Sequence, residues 1–173
     1  MRKPLLPLST VLAFVAVLIL DRVTKIWAAG TLPYQVPVTV IPGLENIFTL
    51  THIHNSGAAF GLFPQAGTLF AIVKVFVVIG LVIWFDRLPV QHFLVRLSIG
   101  MIQGGAIGNL IDRVTTGYVV DFLHLHFWPI FNIADASVSV GVVILAAYLL
   151  ADDSGVPESG KAEAVGPDSS ACA

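Results

Sequence analysis

The stretch IADASVSVGVVILAAYLL, residues 133–150, decides the fold class of this chain. Asp135 is its one charged residue, and the rest is almost entirely apolar or small. A helix needs roughly 20 predominantly apolar residues to cross the hydrocarbon core of a bilayer. The stretch therefore predicts a membrane-spanning helix that begins next to a carboxylate.

Three further apolar stretches precede it, at about residues 5–29, 66–85 and 93–111. Of the 173 residues, 56% are hydrophobic and 12% are charged, about half the charged share of a soluble domain. We expect an α-helical integral membrane protein with four transmembrane helices. Basic residues precede the first stretch as in a cleaved signal peptide. Its small residues, however, come only after Asp21 and Lys25, so we expect a retained helix.

The positions of Lys and Arg predict the orientation in the membrane. Arg2 and Lys3 precede the first span and Arg87 lies between the second and third, whereas residues 30–65 contain no Lys or Arg. Because positively charged loops stay in the cytoplasm, both termini should be cytoplasmic, and residues 30–65 and 112–132 should lie outside. Residues 1–151 then form one membrane-embedded domain, and the polar residues 152–173 form a disordered cytoplasmic tail.

The two outer segments have the composition of strands rather than of plain loops. Residues 36–41 and 46–54 are rich in Val, Ile, Thr and Phe, and residues 118–127 alternate, with His124 and His126 on one face. We predict a small β-sheet region at the outer membrane surface.

The charge of the chain argues against a nucleic-acid partner, and its cysteine content argues against a disulfide or a cysteine-based metal site. The net charge is −2 and no basic run is present, which excludes nucleic acid as a partner. The single cysteine, Cys172, allows neither an internal disulfide nor a cysteine-based metal site.

Ionisable residues within the spans need a reason, because each costs about 2.5–3.5 kcal/mol at a helix centre. Asp21 and Lys25 share a helix face at i and i+4. This pair could be an ion pair that lets the end of the span reach the interface, or part of a functional site. At the end of the third span, Asp112 and Arg113 are either interface anchors or face a polar cavity, with Asn109 on the same side.

The same span has glycines every four residues, at Gly100, Gly104 and Gly108. Small residues at this spacing let two helices approach closely, so we interpret them as packing positions.

Two carboxylates near the fourth span can support catalysis. Asp121 lies between Val-Val and Phe with no adjacent cation, which no structural role explains. Asn132 and Asp135 also fit a helix cap with an acidic third position. A turn at Trp128-Pro129 could bring Asp121 back beside Asp135. Two carboxylates at low dielectric share one proton, so one can act as base on a water and the other as acid, which is the chemistry of aspartic peptidases.

Metal chemistry is the weaker interpretation. His52 with His54, and His124 with His126, form i, i+2 pairs that could bind a metal ion, but no Glu or Cys stands at ligand spacing. We therefore predict no metal ligands and no cofactor, and interpret the histidines as polar faces of surface strands.

Five strings in register with these spans resemble the motifs of signal peptidase II, the lipoprotein signal peptidase family of bacteria. They are DRVTK at 21–25, NSGAAFG at 55–61, GGAIGNLIDR at 104–113, VVDF at 119–122 and FNIADAS at 131–137. The resemblance covers residues from about 8 to 151.

This resemblance implies a multi-pass aspartic endopeptidase of the bacterial cytoplasmic membrane, with its site near the outer face. It implies cleavage of a prolipoprotein just before a lipid-modified cysteine, membrane lipid around the enzyme, a monomer, and inhibition by globomycin. Its catalytic aspartates match Asp121 and Asp135. Its substrate-binding residues match Asp21, Lys25, Asn55, Gly105, Asn109, Arg113 and Asn132.

Two other classes are alternatives to the peptidase: a small proton-linked transporter or channel, and a structural membrane subunit. A proton path spreads its acids across the membrane depth, whereas a surface peptidase needs them at one level. A structural subunit leaves Asp121 unexplained.

Overall fold

A computed structural model describes residues 7–56 and 92–153. The predicted second span at 66–85, most of the string at 55–61 and the tail beyond residue 153 lie outside these residues. Three helices are described: α1 at Leu8–Thr31, α2 at Phe93–Thr115 and α3 at Ile133–Asp153. They overlap the first, third and fourth predicted spans. Within the described residues, Phe93–Thr115 and Ile133–Ala151 are the helices long and apolar enough to cross a membrane.

Helix α2 lies between α1 and α3 and approaches both of them through glycines. A Cβ on Gly104 would lie 2.8 Å from the carbonyl oxygen of Phe14 in α1. A Cβ on Gly141 of α3 would lie 3.0 Å from the carbonyl oxygen of Ser98 in α2. The packing interpretation of the small-residue repeat is therefore confirmed. Apolar side chains fill the α2–α3 contact: Val95, Ile99, Ile102, Val138 and Leu145.

The described strands form one antiparallel pair over the end of α1. Strand β1 runs Phe48–Asn55 and β2 runs Val119–Leu125, with an irregularity between Leu50 and Ile53. Leu50 and Phe122 pack on Ala28 and Leu32 at the end of α1. The apolar underside of the sheet is therefore covered by the helix that carries Asp21 and Lys25.

One predicted strand is wrong. Residues 36–41 form no regular strand, and Val38 alone makes a bridge, exchanging hydrogen bonds of 2.8 and 2.9 Å with Leu50. Two residues shortly before Val38 in the sequence give the physical reason. Pro37 has no N–H to donate, and Gln35, with φ of 61°, turns the chain out of an extended path.

The chain folds back after β2 at the predicted turn. The N–H of Trp128 donates to the carbonyl of Leu125 at 2.8 Å, and Phe131 then pairs with Leu123. This return places Asn132, at the start of α3, beside Asp121 in β2.

Candidate active site

Asp121 is a fully buried carboxylate held by two side-chain amides. Its Oδ1 accepts from Asn132 Nδ2 at 2.6 Å and its Oδ2 accepts from Asn55 Nδ2 at 2.7 Å. The strand register explains the second contact. Ile53 is the partner of Asp121, and Asn55, two residues further along β1, points to the same face.

The environment of Asp121 favours its protonated form. Burial, and next the charge of Asp135, raise the pKa of Asp121 to about 7, against the lowering effect of the donors Asn55 and Asn132. The carboxyl of Asp121 therefore still exchanges a proton near neutral pH, whereas an ordinary aspartate is fully ionised there.

Asp135 lies in the first turn of α3 and faces α2. Its Oδ1 accepts from Asn109 Nδ2 at 2.9 Å. The backbone N–H of Asp135 donates to Asn132 Oδ1 at 2.9 Å, so the predicted cap at Asn132 is confirmed. The carboxylate itself is engaged by another helix, which capping alone does not explain.

A buried charge cluster lies directly behind Asn109. The Nζ of Lys25 lies 2.8 Å from Asp21 Oδ2 and 2.8 Å from Asp112 Oδ2, and Arg22 Nη1 lies 2.6 Å from Asp112 Oδ1. The predicted Asp21–Lys25 pair is present, but it is buried between helices instead of reaching the interface. Asp112 faces this polar interior, which decides between its two interpretations.

Arg22 is the residue that sequence reasoning missed. Asp112 could be suspected from its helix face, three residues after Asn109, but no local signal in the sequence pairs Arg22 with it.

The other Asp21 oxygen, Oδ1, accepts from the backbone N–H of Ala134 at 3.1 Å. Asp21 of α1 thus satisfies an otherwise unpaired donor in the first turn of α3.

Two of the predicted site residues stand apart from the carboxylates. Arg113 is exposed one turn after Asn109, and no hydrogen bond or ion pair links its side chain to residues 7–56 or 92–153. Gly105 is buried against α3, where a Cβ would overlap the carbonyl oxygen of Ala134. Gly105 therefore sets the approach of the two helices that carry Asn109 and Asp135.

The histidine pairs sit among rings and hydroxyls on the sheet. His54 stacks on Tyr118 at 3.8 Å between ring centroids, and His124 stacks on His126 at 4.3 Å. Within the described part of the chain, no group of three or more His, Cys, Asp and Glu residues is placed to hold a metal ion.

The acids of the spans and of β2 gather at one level. Asp21 and Asp112 meet at Lys25, which also donates to Asn109 Oδ1 at 2.9 Å, and Asn109 in turn reaches Asp135. These acids therefore meet in one cluster and are not spread out along the helices.

Comparison with known proteins identifies the family of this chain. The family model described as signal peptidase (SPase) II matches residues 13–151. A lipoprotein signal peptidase of Symbiobacterium thermophilum is 41% identical over 148 residues, covering 83% of this chain and 94% of that protein. Another, of Moorella thermoacetica, is 46% identical over 114 residues, covering 66% of this chain and 76% of that protein.

Two solved structures of bacterial membrane enzymes are also similar. One is 35% identical with a TM-score of 0.70, covering 92% of this chain and 98% of that chain. The other is 36% identical with a TM-score of 0.68, covering 88% and 99%. Because the family model matches residues 13–151, which are most of this chain, the chain belongs to the signal peptidase II family.

Proposed function

We propose that this chain is an aspartic endopeptidase that removes the signal peptide of diacylglyceryl-modified prolipoproteins, cleaving before the lipidated cysteine. Membership of the signal peptidase II family supports the removal of signal peptides from prolipoproteins. The observation that carries the aspartic mechanism is the buried carboxyl of Asp121, which shares one hydrogen-bond network with Asp135 through Asn132 and Asn109.

The two carboxyls take different roles at the start of the reaction. Asp121 holds the shared proton and Asp135 is ionised. Asp135 removes a proton from a water molecule as the water oxygen bonds to the scissile carbonyl carbon, and Asp121 gives its proton to the carbonyl oxygen. When the tetrahedral diol breaks down, one of its hydroxyls returns a proton to Asp121, the C–N bond cleaves and the leaving nitrogen takes the proton held by Asp135, so both carboxyls regain their starting states.

The proposed roles of the remaining site residues are assigned by their exposure. Asn55 and Arg113 are exposed, which supports a role for their side chains in binding the peptide backbone of the substrate. A backbone that leaves its helix within lipid needs such partners, because lipid offers no hydrogen bonds. Asp21, Lys25, Gly105, Asn109 and Asn132 are buried and hold the carboxyls in place.

The proposed setting is the bacterial cytoplasmic membrane, with four spans, both termini in the cytoplasm and the site near the outer face. There a lipid-anchored substrate enters sideways from the bilayer. The same polar groups would bind globomycin, and the enzyme works as a monomer.

Replacement of each aspartate by asparagine tests this proposal. Asp121→Asn and Asp135→Asn keep the size of the side chain but cannot exchange a proton. Cleavage of a lipidated prolipoprotein by the purified enzyme in detergent should be abolished by either change. The double variant should be little worse than each single one, because both carboxyls act on one water. The exposed Glu45→Gln is the matched control and should cleave at the wild-type rate.

Globomycin binding reports whether the site of an inactive variant is still formed, and it should persist in both asparagine variants. EDTA should leave wild-type cleavage unchanged, because the proposed chemistry uses no metal ion. If either asparagine variant cleaved prolipoprotein at near the wild-type rate, that aspartate would not be catalytic.

A further inference from the structure

Lys25 uses its whole donor capacity inside the protein. Its side chain is 1% exposed, and its Nζ lies 2.8 Å from Asp21 Oδ2, 2.8 Å from Asp112 Oδ2 and 2.9 Å from Asn109 Oδ1. An ammonium group has three N–H donors and no acceptor. The three contacts therefore leave no donor for a substrate, although Lys25 lies one side chain away from the dyad.

The third of these contacts determines how the amide of Asn109 is turned. Because an ammonium cannot accept a hydrogen bond, the oxygen of Asn109 has to face Lys25. The NH2 group then faces Asp135 Oδ1, at 2.9 Å. The flipped amide would place its NH2 against the ammonium of Lys25 and its oxygen against the carboxylate of Asp135, which are two repulsive contacts.

Asn132 is turned in the same sense by a backbone donor. Its Oδ1 accepts from the N–H of Asp135, so its NH2 faces Asn109 Oδ1 at 3.1 Å and Asp121 Oδ1 at 2.6 Å. The oxygen of Asn109 thus receives one neutral donor and one cation. The cation is the stronger determinant, and it also polarises the amide, which strengthens its N–H donation to Asp135.

The backbone of α2 is shaped to let this lysine in. A Cβ on Gly108 would lie 2.6 Å from Asp21 Oδ2. Glycine at the position before Asn109 therefore lets Asp21 and Lys25 lie against α2 at the level of the amide. The cluster of Asp21, Arg22, Lys25 and Asp112 carries two charges of each sign, so its formal charges balance.

We propose that Lys25 is a positioning residue for Asp135: its ammonium fixes and polarises the Asn109 amide, which keeps Asp135 ionised as the base. This inference rests on the proposed dyad. A carboxylate that loses a hydrogen-bond donor is easier to protonate. The acidic limb of the pH–rate profile then moves to higher pH, and a residue that only held the helices together would not move it.

The pH dependence of kcat/KM for prolipoprotein cleavage tests this role. Lys25→Met alone would leave Asp21 without its cation, so it is combined with Asp21→Asn, which keeps an oxygen for the N–H of Ala134. The acidic limb of this double variant should move up by about one pH unit, so that activity below the limb falls about tenfold relative to its own plateau.

Arg22→Gln is the matched control. It also removes a cation from the cluster, by breaking the ion pair with Asp112, but it leaves the contact of Lys25 with Asn109. It should lower the unfolding temperature without moving the acidic limb. If Arg22→Gln moved the acidic limb by the same amount, the shift would follow from the loss of any cation in the cluster, and the role of Lys25 would be overturned.

Asn109→Asp provides a second measurement if the double variant fails to fold. This change keeps oxygens for Lys25 and Asn132 but turns a carboxylate oxygen toward Asp135, so the acidic limb should again move up. An unmoved limb in whichever of these variants folds overturns the inference. Full activity of Asp121→Asn or Asp135→Asn would instead overturn the dyad, so the two failures are distinguishable.

Discussion

At the scale of single residues, the buried carboxyl of Asp121 makes the stability of the folded protein depend on pH. Its pKa in the folded protein is raised from 3.8 to about 7 by burial and then by the charge of Asp135. The folded protein keeps this proton at pH values where the unfolded chain has lost it. The contribution of Asp121 to stability is therefore fully present below about pH 4 and is lost as the pH rises through about 7.

Asp121→Asn should therefore be more stable than the wild type at pH 8, and this advantage should shrink toward pH 4. The gain at pH 8 should be on the order of a few kcal/mol, because each unit of pKa shift corresponds to about 1.4 kcal/mol. The new side chain keeps one oxygen, which can accept from the NH2 of Asn132. Thermal unfolding in detergent at a series of pH values measures the difference.

Glu45→Gln serves as the control of opposite sign. The N–H of Gly43 donates to Glu45 and lowers the pKa of this exposed carboxyl, so its replacement should give no gain at pH 8. Equal unfolding temperatures of wild type and Asp121→Asn at both ends of the pH range would contradict the account of Asp121.

At the scale of elements, the position of α2 between two helices depends on glycine. Gly104→Ala should lower the free energy of unfolding by about 1–3 kcal/mol, because the new Cβ would meet the carbonyl of Phe14 and the side chain of Val17. Gly30→Ala, in the last turn of α1, has nothing within 4 Å and should be neutral or stabilising by up to about 1 kcal/mol. Unfolding of both variants in the same detergent compares them directly, and equal losses would contradict the packing role of Gly104.

At the scale of the whole molecule, the orientation in the membrane remains a prediction from Lys and Arg. A reporter fused after Ala151 should be cytoplasmic, and one inserted near Pro42 should be outside. If the reporter after Ala151 were outside and the one near Pro42 were cytoplasmic, the orientation would be reversed and the proposed site would lie on the cytoplasmic face. The exposed apolar surface of α1, including Ile19, Val23 and Ile26, is consistent with contact to lipid.

The sequence by itself was enough to predict the three helices that the structure describes and the turn at Trp128-Pro129, and to single out Asp121 and Asp135 as candidate carboxyls. Apolar runs of membrane length are local features, and so is a carboxylate set in an apolar strand. The Asn132 cap was also readable, because its partner lies three residues away. The segment at 36–41 was predicted wrongly because β composition outweighed the missing N–H of Pro37.

Only the tertiary structure decided what each buried polar group contacts. Lys25 meets Asn109 across 84 residues of sequence, and Asn55 meets Asp121 across 66. Spacing along the chain does not determine such pairs, because they depend on how the helices pack and how the two strands pair. The orientation of the Asn109 amide depends on them in turn, since an amide has a donor side and an acceptor side that its neighbours choose between.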